Sequence, residues 1–165
     1  MILEYKVREG AKAPTRANPS DAGLDVFYYP ADLKVSAVRI QPGENKMLPT
    51  GLIFGIPHGY MLQVCNRSSM GAKRSLVVGA HIIDSGYAGE IFIDLHNIGK
   101  ETQYVEKGAK IAQLILVPVI HFRARQVAYN PYHESITISD RGGDSLGSTD
   151  LQKLDHPLND QVSGF

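Results

Sequence analysis

The stretch Glu90–Asn97, EIFIDLHN, decides the fold class of this chain. Ile91, Ile93 and Leu95 alternate with Glu90, Phe92, Asp94 and His96. A period of two places the first set on one face of an extended segment and the second on the other, as a half-buried strand requires. Outward from it, GLIFGI (Gly51–Ile56), GYMLQVC (Gly59–Cys65) and ILVPVI (Ile115–Ile120) read as further strands. Sixteen glycines and nine prolines punctuate these short apolar runs, the pattern of many strands joined by turns. No long stretch sustains a helical period. The best short helix is Met70–Arg74, where Met70, Lys73 and Arg74 share a turn. The expectation is an all-β barrel or sandwich with its motifs on the turns.

The chain has 165 residues, of which 43% are hydrophobic, enough for one domain with its own core. That domain is expected over residues 1–138. From 139 to 165 the chain is polar and rich in glycine and serine. It buries too little apolar surface to offset its ordering entropy, so a flexible arm is expected. The formal net charge is zero. Without a basic footprint, direct nucleic-acid binding is not expected. The longest apolar run, Leu114–Ile120, is broken by Pro118 and too short to span a bilayer, and the charged N-terminus does not read as a secretory signal. The single cysteine, Cys65, excludes an internal disulfide and suits a reducing cytosol. It reads as a small hydrophobe on a strand. The six histidines are scattered, without zinc spacing.

Chemistry concentrates in RSSMGAKRSLVVGAHIIDSGYAGE, Arg67–Glu90. Arg67, Ser68 and Ser69 offer a fork of donors and two hydroxyls, which suit phosphate oxygens. A serine N-cap of a short helix accounts for the same residues, and the two readings are compatible. Asp84 and Tyr87, separated by Ser85 and Gly86, either suit a β-hairpin turn or supply a general base for water and a stacking platform. Asp25, in DAGLDVFY, either ends a turn before a strand or holds a magnesium ion through its water shell. Gln113 sits inside the apolar IAQLI strand, and a buried amide needs partners. RGGDSLGSTD, Arg141–Asp150, reads as a linker or as a glycine-rich lid over phosphates, with Arg141 as a bidentate clamp.

In order, DAGLDV, RSSMGAK, VGAHIIDSGYAGEI, KGAKIAQLILVPV and RGGDSLGSTD resemble the five motifs of trimeric dUTPases, from about Asp21 to Thr149. The resemblance implies a β-barrel-like jelly roll with a flexible C-terminal arm, and a homotrimer with shared active sites. It implies a magnesium-dependent cut of dUTP to dUMP and pyrophosphate, in the cytoplasm, or in the nucleus if the source is eukaryotic or viral. Carried over, Asp84 orients the attacking water and Tyr87 stacks under the deoxyribose. The hairpin before it, Gly79 to Ile83 and including His81, reads uracil through backbone groups. Arg67, Ser68, Gln113 and Arg141 hold phosphates, Ser148 and Thr149 cap the γ-phosphate, and Asp25 meets the magnesium shell through water.

This chain departs from the family pattern at several places. Leu146 stands where a phenylalanine usually covers the base, His81 replaces a frequent glycine, and Ala109 and Lys110 stand where an acid and an arginine are common. Ser69, Ala80-His81 and an acid three residues before Asn97 are similar to the sister family of dCTP deaminases. A deaminase, a bifunctional deaminase/dUTPase and a non-catalytic dUTPase-like regulatory protein are therefore the alternatives to dUTP hydrolysis.

Overall fold

A computed structural model of the chain describes residues 1–127. Glu90–Asn97 behaves as its alternation demands. Ile93 and Leu95 are fully buried and Ile91 nearly so, while Phe92 is 43% exposed. Eleven strands and one short helix follow in order: β1 (Tyr5–Val7), β2 (Leu24–Phe27), β3 (Ala37–Ile40), β4 (Asn45–Pro49), β5 (Leu52–Phe54), β6 (Tyr60–Cys65), α1 (Ser68–Arg74), β7 (Leu76–Val78), β8 (Ile82–Asp84), β9 (Phe92–Asn97), β10 (Gln103–Glu106) and β11 (Lys110–Pro118). They belong to the compact unit Met1–Phe122. No helix among the described residues is long and apolar enough to cross a membrane.

The strands form a four-stranded sheet, β2-β11-β6-β8, a three-stranded sheet, β4-β9-β7, and two ribbons, β1-β5 and β3-β10. All pairings are antiparallel. One apolar cluster joins the larger sheets: Val26, Leu62, Val64 and Leu114 from the first meet Leu48, Leu76, Ile93 and Leu95 from the second. Truncating any of these leucines, or Ile93, to alanine would cost about 2–5 kcal/mol in lost transfer energy and cavity formation. The jelly-roll expectation is met in this arrangement of sheets about one core. The 138/139 boundary and the arm lie outside the described residues.

Three local readings are corrected. The link from Asp84 to Tyr87 is not a β-hairpin. β8 pairs with β6, whereas β9 pairs with β4 and β7, so the chain turns from one sheet to the other. The turn is closed by Tyr87 N–H donating to Asp84 C=O at 3.1 Å. The segment before it likewise runs between sheets. Local alternation marks strands but does not name their partners. Secondly, no serine caps α1. Arg67 is the N-cap in an extended conformation, without a side-chain cap bond, since a guanidinium has no acceptor to offer the free N–H groups of the first turn. Thirdly, Asp25 lies within β2 and does not end a turn before it.

Candidate functional site

Two clefts gather the residues singled out by the motifs. The first, of about 280 Å³, lies at the β2-β11-β6 end of the four-stranded sheet, with Asp25, Arg67, Ser68, Lys110 and Gln113 on its walls. Register explains the grouping. Gln113 on β11 stands opposite both Asp25 on β2 and Cys65 on β6, so these three side chains share the outer face. Cys65 and Gln113 are only half-buried there, whereas Val64 and Leu114 beside them face the core. Gln113 finds its partner in the backbone: Nε2 donates to Asn66 C=O at 2.9 Å. A Cβ at position 23 would come within 2.6 Å of Gln113 Oε1, so a side chain there would displace the amide.

Asp25 is the electrostatic centre of this cleft. Its Oδ1 accepts from Arg67 Nε at 2.7 Å, and its Oδ2 meets Lys110 Nζ at 2.6 Å. The Asp25 side chain is only 14% exposed. Arg67 Nη1 also donates to Ser69 Oγ at 3.3 Å. Asp21 lines the same space, with its carboxylate accepting from Asn18 N–H at 2.8 Å. The formal charges of Asp21, Asp25, Arg67 and Lys110 cancel. A polyphosphate entering here meets two cations but no net positive charge from these four groups. Among the described residues, no group of three or more His, Cys, Asp or Glu converges as a metal site. Asp25 has both oxygens engaged, but each carboxylate oxygen accepts more than one bond. The donor set thus fits a divalent ion that arrives on phosphates and touches Asp25 through water.

The second cleft, of about 220 Å³, holds Asp84 and Tyr87 with Ile82, Ile83, Met47 and Phe92. Asp84 is exposed. Tyr87 is 46% exposed, and its hydroxyl is spent on Glu90 C=O at 2.7 Å. Its free surface is therefore the ring face. A larger cavity, about 720 Å³, lies along Tyr5, Phe54 and Ser85–Ala88. It shares Tyr87 but lacks Asp84 and the Arg67 donors, so the chemistry points to the smaller clefts.

Residues 79–83 lead into this second cleft. Gly79 N–H donates to Asp94 C=O at 2.9 Å, and His81 C=O accepts from Val64 N–H at 2.8 Å. His81 Nδ1 sits 2.9 Å from Val64 C=O, which can only accept, so Nδ1 carries the proton. Antiparallel alternation then turns the main-chain groups of Ile82 towards the open edge of β8, which is an edge strand. A Cβ at position 79 would lie 2.2 Å from His96 Nε2 and 2.5 Å from Asp94 Oδ2, so any side chain there would displace that pair. Burial alone would raise the Asp94 pKa. Hydrogen bonds from Asn45 (2.8 Å) and His96 (2.9 Å) outweigh that and hold it below the usual range.

The two clefts share no residue. Asp84 stands opposite Met61 on β6, and Arg67 lies just beyond the far end of that strand. At ~3.3 Å per residue, the stretch Met61–Arg67 separates them by on the order of 20 Å. Arg141, Leu146, Ser148 and Thr149 lie outside the described residues. Lys110 was not among the site residues read from the motifs. Its place depends on an irregularity in β11 between Lys110 and Ala112. Ile111 and Ala112 are both fully buried, so the bulge turns Lys110 to the same side as Gln113.

A protein-family model described as dUTPase matches residues 9–149. The chain is 37% identical to the deoxyuridine 5'-triphosphate nucleotidohydrolase of Clostridium acetobutylicum, over 90% of this chain and 95% of that one. It is 34% identical to the enzyme of the same name from Chlamydia muridarum, over 87% and 94%. Among solved structures it is similar to the dUTPase of Staphylococcus bacteriophage 80alpha with dUpNHpp (TM-score 0.75, 27% identity, 89% of this chain and 97% of that one). It is also similar to a variant dUTPase from phage phi11 of S. aureus, described with a structural Mg(II) ion (TM-score 0.68, 26% identity, 78% and 98%). With the five motifs in order, the strands in place and a matching model over most of its length, this chain belongs to the dUTPase family.

Proposed function

We propose that the chain hydrolyses dUTP to dUMP and pyrophosphate, at sites completed between copies of the chain in a homotrimer. The observation that carries this is the separation of two complementary half-sites in one family member: a water-accessible acid beside an aromatic face, and a cation-bearing cleft about 20 Å away at strand spacing. One triphosphate cannot reach both within a single chain. A neighbouring copy that brings its Arg67 cleft to the Asp84 cleft supplies what is missing.

In such a site Asp84 accepts a proton from water and orients it for attack at the α-phosphorus. Tyr87 supports the sugar by its ring face, since its hydroxyl is committed to Glu90. The base lies along the open edge of β8 at Ile82. Arg67, Ser68, Ser69 and Gln113 bind and orient the phosphate chain, so that catalysis is mainly positioning and charge stabilisation. Magnesium, carried on the phosphates and met by Asp25 through water, would neutralise part of their charge. Arg141, Leu146, Ser148 and Thr149 are proposed to close the site from the arm, residues 139–165. The lone free Cys65 suits a reducing compartment, and the cytoplasm is the proposed place of action.

Asp94 is bound to Asn45 and His96. That favours a structural role for it over the acid of a deaminase. The test is a panel of dUTP, dCTP, dTTP and UTP, with pyrophosphate and ammonia both measured. Pyrophosphate from dUTP alone is expected. Ammonia from dCTP would favour the deaminase, and no turnover at all would favour a non-catalytic protein.

A further inference from the structure

Lys110 and Asp25 face each other in the phosphate cleft with a contact tighter than an ordinary surface pair requires: 2.6 Å, with the acid 14% and the lysine 36% exposed. Arg67 occupies the other oxygen of the same acid at 2.7 Å and is itself only 25% exposed. Two cations thus share one carboxylate, and each is held at the wall of a cleft that also presents Ser68 and Gln113. Among the described residues Lys110 has no other charged partner. The bulge at Lys110/Ala112 costs β11 its regular ladder and turns the ammonium into this cleft.

We propose that Lys110 is a polyphosphate-binding cation of this cleft, and that Asp25 is an internal counter-ion that positions Lys110 and Arg67 and competes with the polyphosphate for them. The proposal rests on reading the cleft as the phosphate site. An ammonium is a point charge suited to phosphate oxygens. The same carboxylate that orients the two cations repels a polyanion. Removing the lysine and removing the acid should therefore shift polyphosphate affinity in opposite directions. A bracing role, in which the pair only ties β11 to β2, makes both changes act in the same direction.

The experiment is calorimetric titration of the full-length protein with inorganic tripolyphosphate, with divalent metal removed by chelation. Deoxyuridine serves as a ligand that has no phosphate. Asp25→Asn, which keeps the shape and removes the charge, should bind tripolyphosphate roughly tenfold more tightly than the parent, and Lys110→Met roughly tenfold more weakly. Lys110→Arg should stay within about threefold of the parent, because the charge is kept while the geometry changes. Deoxyuridine binding should be unaffected by all three. Asp25→Asn and Lys110→Met both weakening tripolyphosphate binding would overturn the proposal, as would a parent protein that does not bind it. The expected opposite signs in a protein without dUTP turnover would leave this inference standing and sink the proposed function.

Discussion

In the Asp25 cleft the functional groups come from β2, β11 and the chain around the N-terminus of α1, and they are already paired with one another. In the Asp84 cleft the acid and the ring come from a single turn, are exposed, and are held by main-chain bonds. The first region spends part of its charge on itself before any ligand arrives. The second is locally encoded and open to water. The contrast teaches that the two halves will respond differently to substitution. Changes in the first should be felt in both stability and binding, and changes in the second in chemistry.

The sharpest attempt to break that contrast is Asp84→Asn. Losing the base should lower kcat about 10²–10⁴-fold, while thermal unfolding and binding of dUpNHpp stay at parent values. A parent-like kcat would remove Asp84 from its role. Arg67→Ala should behave otherwise. It leaves Asp25 with one cation in place of two, so a rise in KM should accompany a stability loss of about 1–3 kcal/mol, read by denaturant unfolding. Unchanged stability would mean that the ion pair does not help to hold β2 against α1.

Tyr87→Ala sharpens the account of the exposed half. If the ring excludes ribose by packing, the ratio of kcat/KM for dUTP to that for UTP should fall about tenfold or more. An unchanged ratio would make the ring structural. The smallest effect belongs to Asp94. Its folded pKa lies below the ordinary 3.8, so its contribution is present above that pH and is lost as pH falls through the folded value. Asp94→Asn should therefore destabilise by about 1 kcal/mol near neutrality, and the difference from the parent should shrink on acidification below the ordinary pKa. A pH-independent difference would assign the effect to shape and not to charge.

These regions also differ in how far they can be read from residues alone. The core face of Ile91, Ile93 and Leu95 is carried by period-two alternation, and the short helix by its local pattern, so both were legible. Asp84 and Tyr87 lie three residues apart, and their common cleft was equally plain. Their setting was not: which strand β8 pairs with depends on contacts distant in sequence, and a turn between sheets has the same residues as a hairpin turn. The union of Asp25 with Arg67 spans forty-two positions. Lys110 escaped because regular alternation from Gln113 assigns it to the inner face, and only the bulge reverses that. An insertion of one residue in a ladder leaves no periodic signal.

If the two clefts are halves of one site shared between chains, two variants that are inactive alone should complement each other when mixed. Arg67→Ala and Asp84→Asn chains should each be nearly inactive alone. Co-assembled in equal amounts, random trimers should place an intact Arg67 cleft against an intact Asp84 cleft in about a quarter of the sites, restoring about a quarter of the parent dUTP turnover. A mixture no more active than the separate variants, with mixed assembly confirmed by native mass spectrometry, would contradict the shared site.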